Sequence, residues 1–580
     1  MKKLVSLFFA AAMLLAPCHA WAGQGRILKI DFKSAITEHG SSSFSLASLS
    51  LGSLGTGSIS LLNMVRAIDA AATDPSVSMI YMTPDNISAG MAQMEEVRAA
   101  LARFRASGKQ IVAYCENLSN ASYYIASVAD KVILNPASEN YLLGLGTQQV
   151  FLKDALDALG VEVQLIRHGK YKSAGEMYTR SDFSPENYEQ YSVMINSLWN
   201  AMCNDIAGSR SFTADEFRGW VNDLTLTDAE SFLEKGLVDE LWHKDQVEDY
   251  FCEQSGFPMI KLVKFVSLKR YSDKLNKSFK KKNRRNKDKV AVVYANGEIV
   301  VSPSGTSMSS ELIIGKNLAA TLAKVRKDDK IKAVVFRVNF PGGSVMASEL
   351  IRREVDLLQA AKPVIASYGE YAASGGYWIS TGTDRIFTDR TTLTGSIGCF
   401  SLVPNLGGAI RSKLKVNFAT VNSSDHSDMM SGMRHLDDSE VAYLQSQVEY
   451  IYDRFTTLVS DGRGISKDSV DVLGQGRVWA GSDALGIGLV DEIGGLNEAI
   501  AYAAQTAGLT SYGVVEYPEI KPFNLMALLG EEDDVEETLT SDNDPSISAM
   551  LQRCFPYAAA LRRKCEPVMM ARMTAAYSFN

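Results

Sequence analysis

The sequence predicts an α/β fold built twice in tandem, and three observations carry that prediction. The first is length, because 580 residues exceed what one hydrophobic core usually organises. The second is periodicity: short apolar runs alternate with helical patterns of about 10–15 residues, which reads as repeated βαβ units around a mainly parallel sheet. The third is long-range self-similarity. Val77-Ser78-Met79-Ile80-Tyr81-Met82 matches Ile331-Lys332-Ala333-Val334-Val335-Phe336, and Ile111-Val112-Ala113 matches Val364-Ile365-Ala366. Tyr123-Tyr124-Ile125-Ala126-Ser127 returns as Tyr377-Trp378-Ile379-Ser380-Thr381, and Asp130-Lys131-Val132 as Asp384-Arg385-Ile386. Gly236-Leu237-Val238-Asp239-Glu240 returns as Gly488-Leu489-Val490-Asp491-Glu492, and the opening strands Ile27 to Phe32 and Val290 to Tyr294 are alike. Five matches in one order at an offset of 252–254 residues are a duplication rather than chance.

The elements follow in chain order. Met1-Lys2-Lys3 is basic, Leu4 to Ala16 is apolar, and Ala20-Trp21-Ala22 is a small-x-small signal before Gly23, so residues 1–22 read as a secretory signal or, uncleaved, as a membrane anchor. Either places the mature chain in an extracytoplasmic space. Residues 23–263 form the first repeat, 264–288 a basic linker, 289–518 the second repeat and 519–580 a C-terminal tail. The run Lys280 to Lys289 holds seven basic residues in ten; it is expected to be a solvated linker, with anionic lipid headgroups as the alternative partner. Glu531 to Asp544 is acidic and expected to be a mobile surface loop.

Composition excludes several classes. Hydrophobic residues at 46% and charged residues at 22% leave no room for a mostly disordered or polytopic membrane chain. A net charge of −8 gives no protein-wide attraction to nucleic acid. Cys115, Cys203, Cys252 and Cys399 sit in apolar or mixed surroundings like small buried hydrophobes, whereas Cys554 and Cys565 are close enough in sequence to pair. With six scattered His, no CxxC and no HExxH, no metal or other cofactor is expected.

A duplicated scaffold locates its chemistry where the copies differ. Ser374, in Glu370-Tyr371-Ala372-Ala373-Ser374-Gly375-Gly376, stands at a strand-to-helix turn among small residues; the first copy has Asn120 there. Ser374 is either a helix N-cap or an exposed nucleophile. Asn339-Phe340-Pro341-Gly342-Gly343-Ser344 follows a strand, and its paired glycines let backbone N–H groups face a cleft, as an oxyanion hole needs; the first copy has Pro84-Asp85-Asn86. Conversely Lys170 and Lys172 follow the first copy's strand Val161 to Ile166, while 416–463 of the second contains no Lys. Such a Lys is a surface cation, or a base whose pKa burial lowers by about 3 units at a cost of about 4 kcal/mol.

Together Tyr171-Lys172-Ser173-Ala174, Ala373-Ser374-Gly375-Gly376-Tyr377-Trp378, Thr394-Gly395-Ser396-Ile397-Gly398 and Gly476-Arg477-Val478-Trp479 resemble the long, duplicated form of signal peptide peptidase A, an S49-type serine protease family related in fold to the Clp protease and crotonase proteins. The resemblance runs from about Ile27 to Glu516. It implies two tandem Clp protease/crotonase-like repeats, with Ser374 as nucleophile, Lys172 as general base, Ser396 holding the Lys, and amides near Gly342, Gly343 and Gly375 binding the oxyanion. It also implies a membrane-associated oligomer, a tetramer by resemblance, at the periplasmic face of the inner membrane, degrading signal-peptide remnants and other apolar peptides without a cofactor. Three departures stand out: Phe340, which would narrow the pocket entrance; the cleavable-looking leader; and a loosely matching tail with its terminal Pro567 to Met573 run. The competing functions are a non-hydrolytic peptide-binding scaffold of the same fold and, more remotely, acyl-thioester chemistry.

Overall fold

The computed structural model describes residues 25–40, 58–302, 312–519 and 570–572. The leader, the acidic segment 531–544 and the Cys554/Cys565 pair lie outside them. Two sheets repeat one strand order. In the first half it is Glu240–Leu241, Lys131–Leu134, Gln110–Cys115, Val77–Met82, Arg26–Ile30, Phe265–Ser267, with every pairing parallel. In the second it is Glu492–Ile493, Arg385–Thr388, Val364–Ala373, Ile331–Phe340, Lys289–Asn296, Gly513–Tyr517. The fold is therefore α/β and duplicated. Helices on both faces bury both sides of the central strands, which is why Val290 to Ala295 is unbroken apolar sequence and wholly buried.

The sequence repeats have a shared hydrogen-bonding cause. In Gly-Leu-Val-Asp-Glu, Asp239 Oδ2 accepts from Val132 N at 2.7 Å, and Asp491 Oδ2 accepts from Ile386 N at 2.8 Å. Arg210 and Arg463 each pair with that aspartate. Tyr123 donates to Leu237 O at 2.9 Å, and Tyr377 to Leu489 O at 2.7 Å. Each buried polar group keeps its partner in both copies, as burial demands.

The halves are joined in three ways. First, Glu162–His168 of the first repeat pairs antiparallel with Cys399–Asn405 of the second, from His168↔Cys399 to Glu162↔Asn405. Second, the helix Met91–Ala106 lays carboxylates into the second repeat: Glu96 meets Arg337 at 2.8 Å and Glu95 meets Arg390 at 2.5 Å, while Glu38 also meets Arg337 at 2.8 Å. Third, the linker 264–288 is itself structured, although Lys280, Lys281, Arg284, Arg285 and Lys287 of its basic run are exposed. It forms the edge strand Phe265–Ser267 and the helix Leu268–Arg285, which buries Leu268, Tyr271 and Ser272. An apolar position every three to four residues gives the basic run a face to pack, and Arg270, Lys274, Lys277, Lys281 and Arg284 share the opposite, exposed face.

A further strand comes from the tail. Met570–Arg572 lies antiparallel to Gly342–Ser344, with Ala571↔Gly343, and reaches Cys399–Asn405 through Met570↔Phe400.

Candidate active site

Ser374 ends the strand Val364–Ala373 and precedes the helix Gly375–Ser380. Its backbone takes φ 54, ψ −113, and its side chain makes no capping bond. A non-glycine residue held at positive φ is strained, and such strain persists only where surrounding structure enforces it. Here Ser374 N is tied to Gly395 O at 2.8 Å, so the Oγ projects away from the helix end. The first repeat is ordinary at this point: Ser119 caps Asn120–Ala126, and Asn120 is spent on the backbone of Gly144.

Lys172 reaches Ser374 within one chain. Because Glu162–His168 is zipped to Cys399–Asn405, the loop that follows must emerge beside Ser396 to Gly398. Lys172 Nζ lies 2.8 Å from Ser374 Oγ, 2.9 Å from Ser396 Oγ and 3.0 Å from Ser396 O. All three residues are buried, Lys172 to 1% exposure. Burial disfavours the ammonium and lowers the Lys172 pKa from 10.5 to about 7. The neighbouring Cys399 thiol is itself pushed up to about 12 by burial and so stays neutral, leaving no anion among the described residues beside the amine to offset the effect of burial. Lys170, one turn of the loop away, is exposed over the Tyr171 ring.

Backbone bonds knit three sequence stretches around the amine. Tyr171 N donates to Gln475 O at 2.9 Å, Gly476 N to Ile397 O at 2.8 Å, and Ser396 N to Arg477 O at 2.7 Å. Gly476 is required twice over: it sits at φ 80, and a Cβ there would come within 2.5 Å of Lys172 N and Cβ. On the other side of Ser374, a Cβ on Gly375 would stand 3.3 Å from Gly343 N and 3.5 Å from Gly342 Cα. The three glycines singled out from sequence thus bring bare backbone up to the serine. Phe340 departs from expectation. It is buried behind Gly376, where a Cβ would approach its ring at 3.2 Å, so it supports the nucleophile's helix rather than narrowing an entrance.

Among the described residues, one grouping of metal-ligand type occurs, His426, Asp437 and Glu440. Glu440 is already engaged by Arg434 at 2.7 Å and Asp437 caps the helix Asp438–Arg463, so these donors are committed to structure.

A duplicated α/β serine peptidase is the class that this fold and site define. The chain belongs to peptidase family S49, whose family model matches it twice, over residues 103–256 and 356–510. Relatives cover most of it. "Protease 4" of Haemophilus influenzae is 34% identical over 456 residues, 77% of this chain and 73% of its own length. "Protease 4" of Salmonella typhi is 34% identical over 507 residues, 85% and 80% of the two chains, and the chloroplastic "Serine protease SPPA" of Arabidopsis thaliana 30% over 487, 84% and 70%.

Sequence reading passed over Gln190, Arg167 and Glu176. Arg167 Nη1 donates to Lys172 O at 2.9 Å and pairs with buried Glu176 at 2.9 Å. These residues carry no local pattern, because what selects them is proximity created by folding.

Proposed function

We propose that the chain is an endopeptidase with a Ser374/Lys172 dyad that cuts extended apolar peptides, signal-peptide remnants among them, at the outer face of the membrane. The observation that carries this is the buried Lys172 amine 2.8 Å from Ser374 Oγ with its pKa near 7. Neutral Lys172 takes the Ser374 proton as Oγ bonds to the peptide carbonyl carbon, and the carbonyl electrons move onto oxygen. Backbone amides at Gly342, Gly343 and Gly375 hold that oxyanion. Collapse expels the amine, which receives the proton from Lys172, and leaves an ester on Ser374. Lys172 then deprotonates a water that hydrolyses the ester. Ser396 holds the amine in line throughout.

Peptide recognition by strand addition is supported by the tail strand Met570–Arg572, which pairs with Gly342–Ser344 beside the nucleophile. Main-chain pairing of this kind accepts many sequences, with pockets for alternate side chains adding preference. Membrane attachment rests on the apolar run at 4–22 and on the basic face of Leu268–Arg285, since anionic lipids attract such a stripe. Assembly into a homo-oligomer, a tetramer by resemblance, belongs to the same reading.

The test is turnover of a fluorogenic apolar peptide by the full chain beside Ser374→Ala, Lys172→Ala and Lys170→Ala. Loss in the first two and retention in the third is expected. Equal turnover by wild type and Ser374→Ala would leave a peptide-binding scaffold instead, and membrane flotation with salt washes checks the location.

A further inference from the structure

Lys172 is held in a loop, not in a helix or strand, yet its function requires placement within a few tenths of an ångström. Something rigid must fix its neighbours. The long helix Pro185–Ser209 supplies it. That helix is well anchored: Ser184 caps it by accepting from Asn187 N at 3.2 Å, Pro185 starts it, and Tyr191, Met194, Leu198 and Met202 bury its inner face.

Gln190 projects from this helix with 4% exposure. The two N–H groups of its Nε2 are shared among Tyr171 O, Ser173 Oγ and Asn187 Oδ1, each at 3.0 Å. The first two partners are the residues on either side of Lys172. Its Oε1 accepts from Val478 N, in the second repeat, at 3.3 Å. Val478 pairs with Gly395, whose carbonyl receives Ser374 N at 2.8 Å. One amide therefore grips both flanks of the base and, one strand away, the backbone that sets the nucleophile. Both ends of an amide are needed for this, since only it offers two N–H donors and an acceptor on one planar group.

We infer that Gln190 is a positioning residue that sets the Lys172–Ser374 distance across the two repeats. This rests on the dyad reading above. Without Gln190 the loop keeps the bond of Tyr171 N to Gln475 O and that of Arg167 to Lys172 O but loses its ties at Tyr171 O and Ser173 Oγ on either side of the base, and the amine gains access to water. Two consequences follow. Chemistry slows, because a misplacement of about 1 Å costs about 100-fold, while peptide binding along Gly342–Ser344 is untouched. The protonation midpoint of the base also rises toward that of an ordinary lysine, because burial is what depresses it.

The experiment measures kcat and KM from pH 5.5 to 10 for the full chain and for Gln190→Met, Gln190→Glu and Gln190→Asn, beside Ser374→Ala and Lys172→Ala. Gln190→Met, which keeps volume and loses every bond, is expected to lower kcat at pH 7 about 10- to 100-fold at constant KM, and to move the acid limb of the profile up by about one unit, so that activity recovers toward pH 9.5. Gln190→Glu keeps the acceptor for Val478 N but presents a carboxylate oxygen to Tyr171 O, and is expected to behave like Gln190→Met or worse. Gln190→Asn restores part of kcat at most, its amide being one methylene short. A uniform loss at every pH with an unmoved midpoint would mean a smaller folded fraction and would overturn the inference, as would unchanged kcat. Should Lys172→Ala or Ser374→Ala retain turnover, the dyad itself fails, whatever Gln190 does. A variant that does not fold is recognised by its circular dichroism, and Gln190→Glu, isosteric with the native side chain, then decides the matter.

Discussion

Lys172→Met should make the protein inactive and, at pH 7, more stable, with a stability change that depends on pH. The native amine has a pKa of about 7 where an ordinary lysine has 10.5. In the unfolded chain the amine is charged up to about pH 10.5; in the folded chain it is charged only below about pH 7. The folded state therefore binds fewer protons between those values, and stability falls as pH drops from 10.5 to 7, then stays level. The full penalty is the shift of about 3.5 units at about 1.36 kcal/mol each, or about 5 kcal/mol at and below pH 7. At pH 9.5 only about one unit remains, about 1.4 kcal/mol. Against this, methionine forfeits the three bonds of Nζ to Ser374 Oγ, Ser396 Oγ and Ser396 O, worth about 1 kcal/mol each. The net change is a gain of about 2 kcal/mol at pH 7 and a loss of about 2 kcal/mol at pH 9.5.

Thermal unfolding followed by circular dichroism reads this directly. For a repeat of this size about 2 kcal/mol corresponds to about 4–8 °C, so Lys172→Met should melt that much above wild type at pH 7 and below it at pH 9.5. Methionine matches the lysine stem in length and leaves no cavity to confuse the sign. A variant that melts below wild type at pH 7, or that shifts equally at both pH values, refutes the claim that the amine is held neutral by burial.

Ser396→Ala removes one of three Nζ partners and leaves Ser396 O, so kcat should fall about 10-fold with KM unchanged; an unaltered kcat would mean that Ser396 is scaffold only. Glu370, which accepts Gln93 N at 2.9 Å between the repeats, is pushed up to about 7 by burial. Its folded value is raised, so its burial costs nothing below about pH 4.5 and most above pH 7. It keeps some contact with solvent, which trims the cost to about 2 kcal/mol; Glu370→Gln should raise the melting point at pH 8.5 and leave it unchanged at pH 5. Removing residues 568–580 frees the position beside Gly342–Ser344 and should lower KM severalfold at constant kcat in peptide cleavage, whereas an equal KM would mean that the tail strand and peptide do not compete.

The strands and the duplication were legible because each rests on local pattern: apolar runs for buried parallel strands, and Asp239 and Asp491 recurring because each satisfies the same buried amide. Ser374 and the pair Lys170 and Lys172 stood out because their counterparts in the other copy differ, and the resemblance alone picked Lys172 from the pair. Whether Ser374 caps a helix or faces a lysine was not legible, since both arrangements use the same residue among the same small neighbours; the structure gives its side chain no capping bond and sets its Oγ 2.8 Å from Lys172 Nζ. The helix over Leu268–Arg285 was not legible because nine basic residues masked the few apolar positions that pack. Gln190 was invisible because its partners lie 3, 17, 19 and 288 residues away.

Dividing the dyad between repeats has a physical consequence. Neither repeat alone can neutralise the lysine: the strand Glu162–His168 delivers it, but Ser396, Gly398, Cys399 and Gly476 of the other repeat exclude water from it. The proposed base thus has its lowered pKa only when the halves are docked. The same docking buries Arg337 among Glu38 and Glu96, a charge cluster that is costly to break from one side and contributes little net stability when intact. Its value lies in register: the ion pairs penalise any sliding of the halves that would move Lys172 away from Ser374. A separated half would leave Lys172 without the cover of Ser396, Gly398, Cys399 and Gly476, so the proposed dyad can work only in the assembled chain.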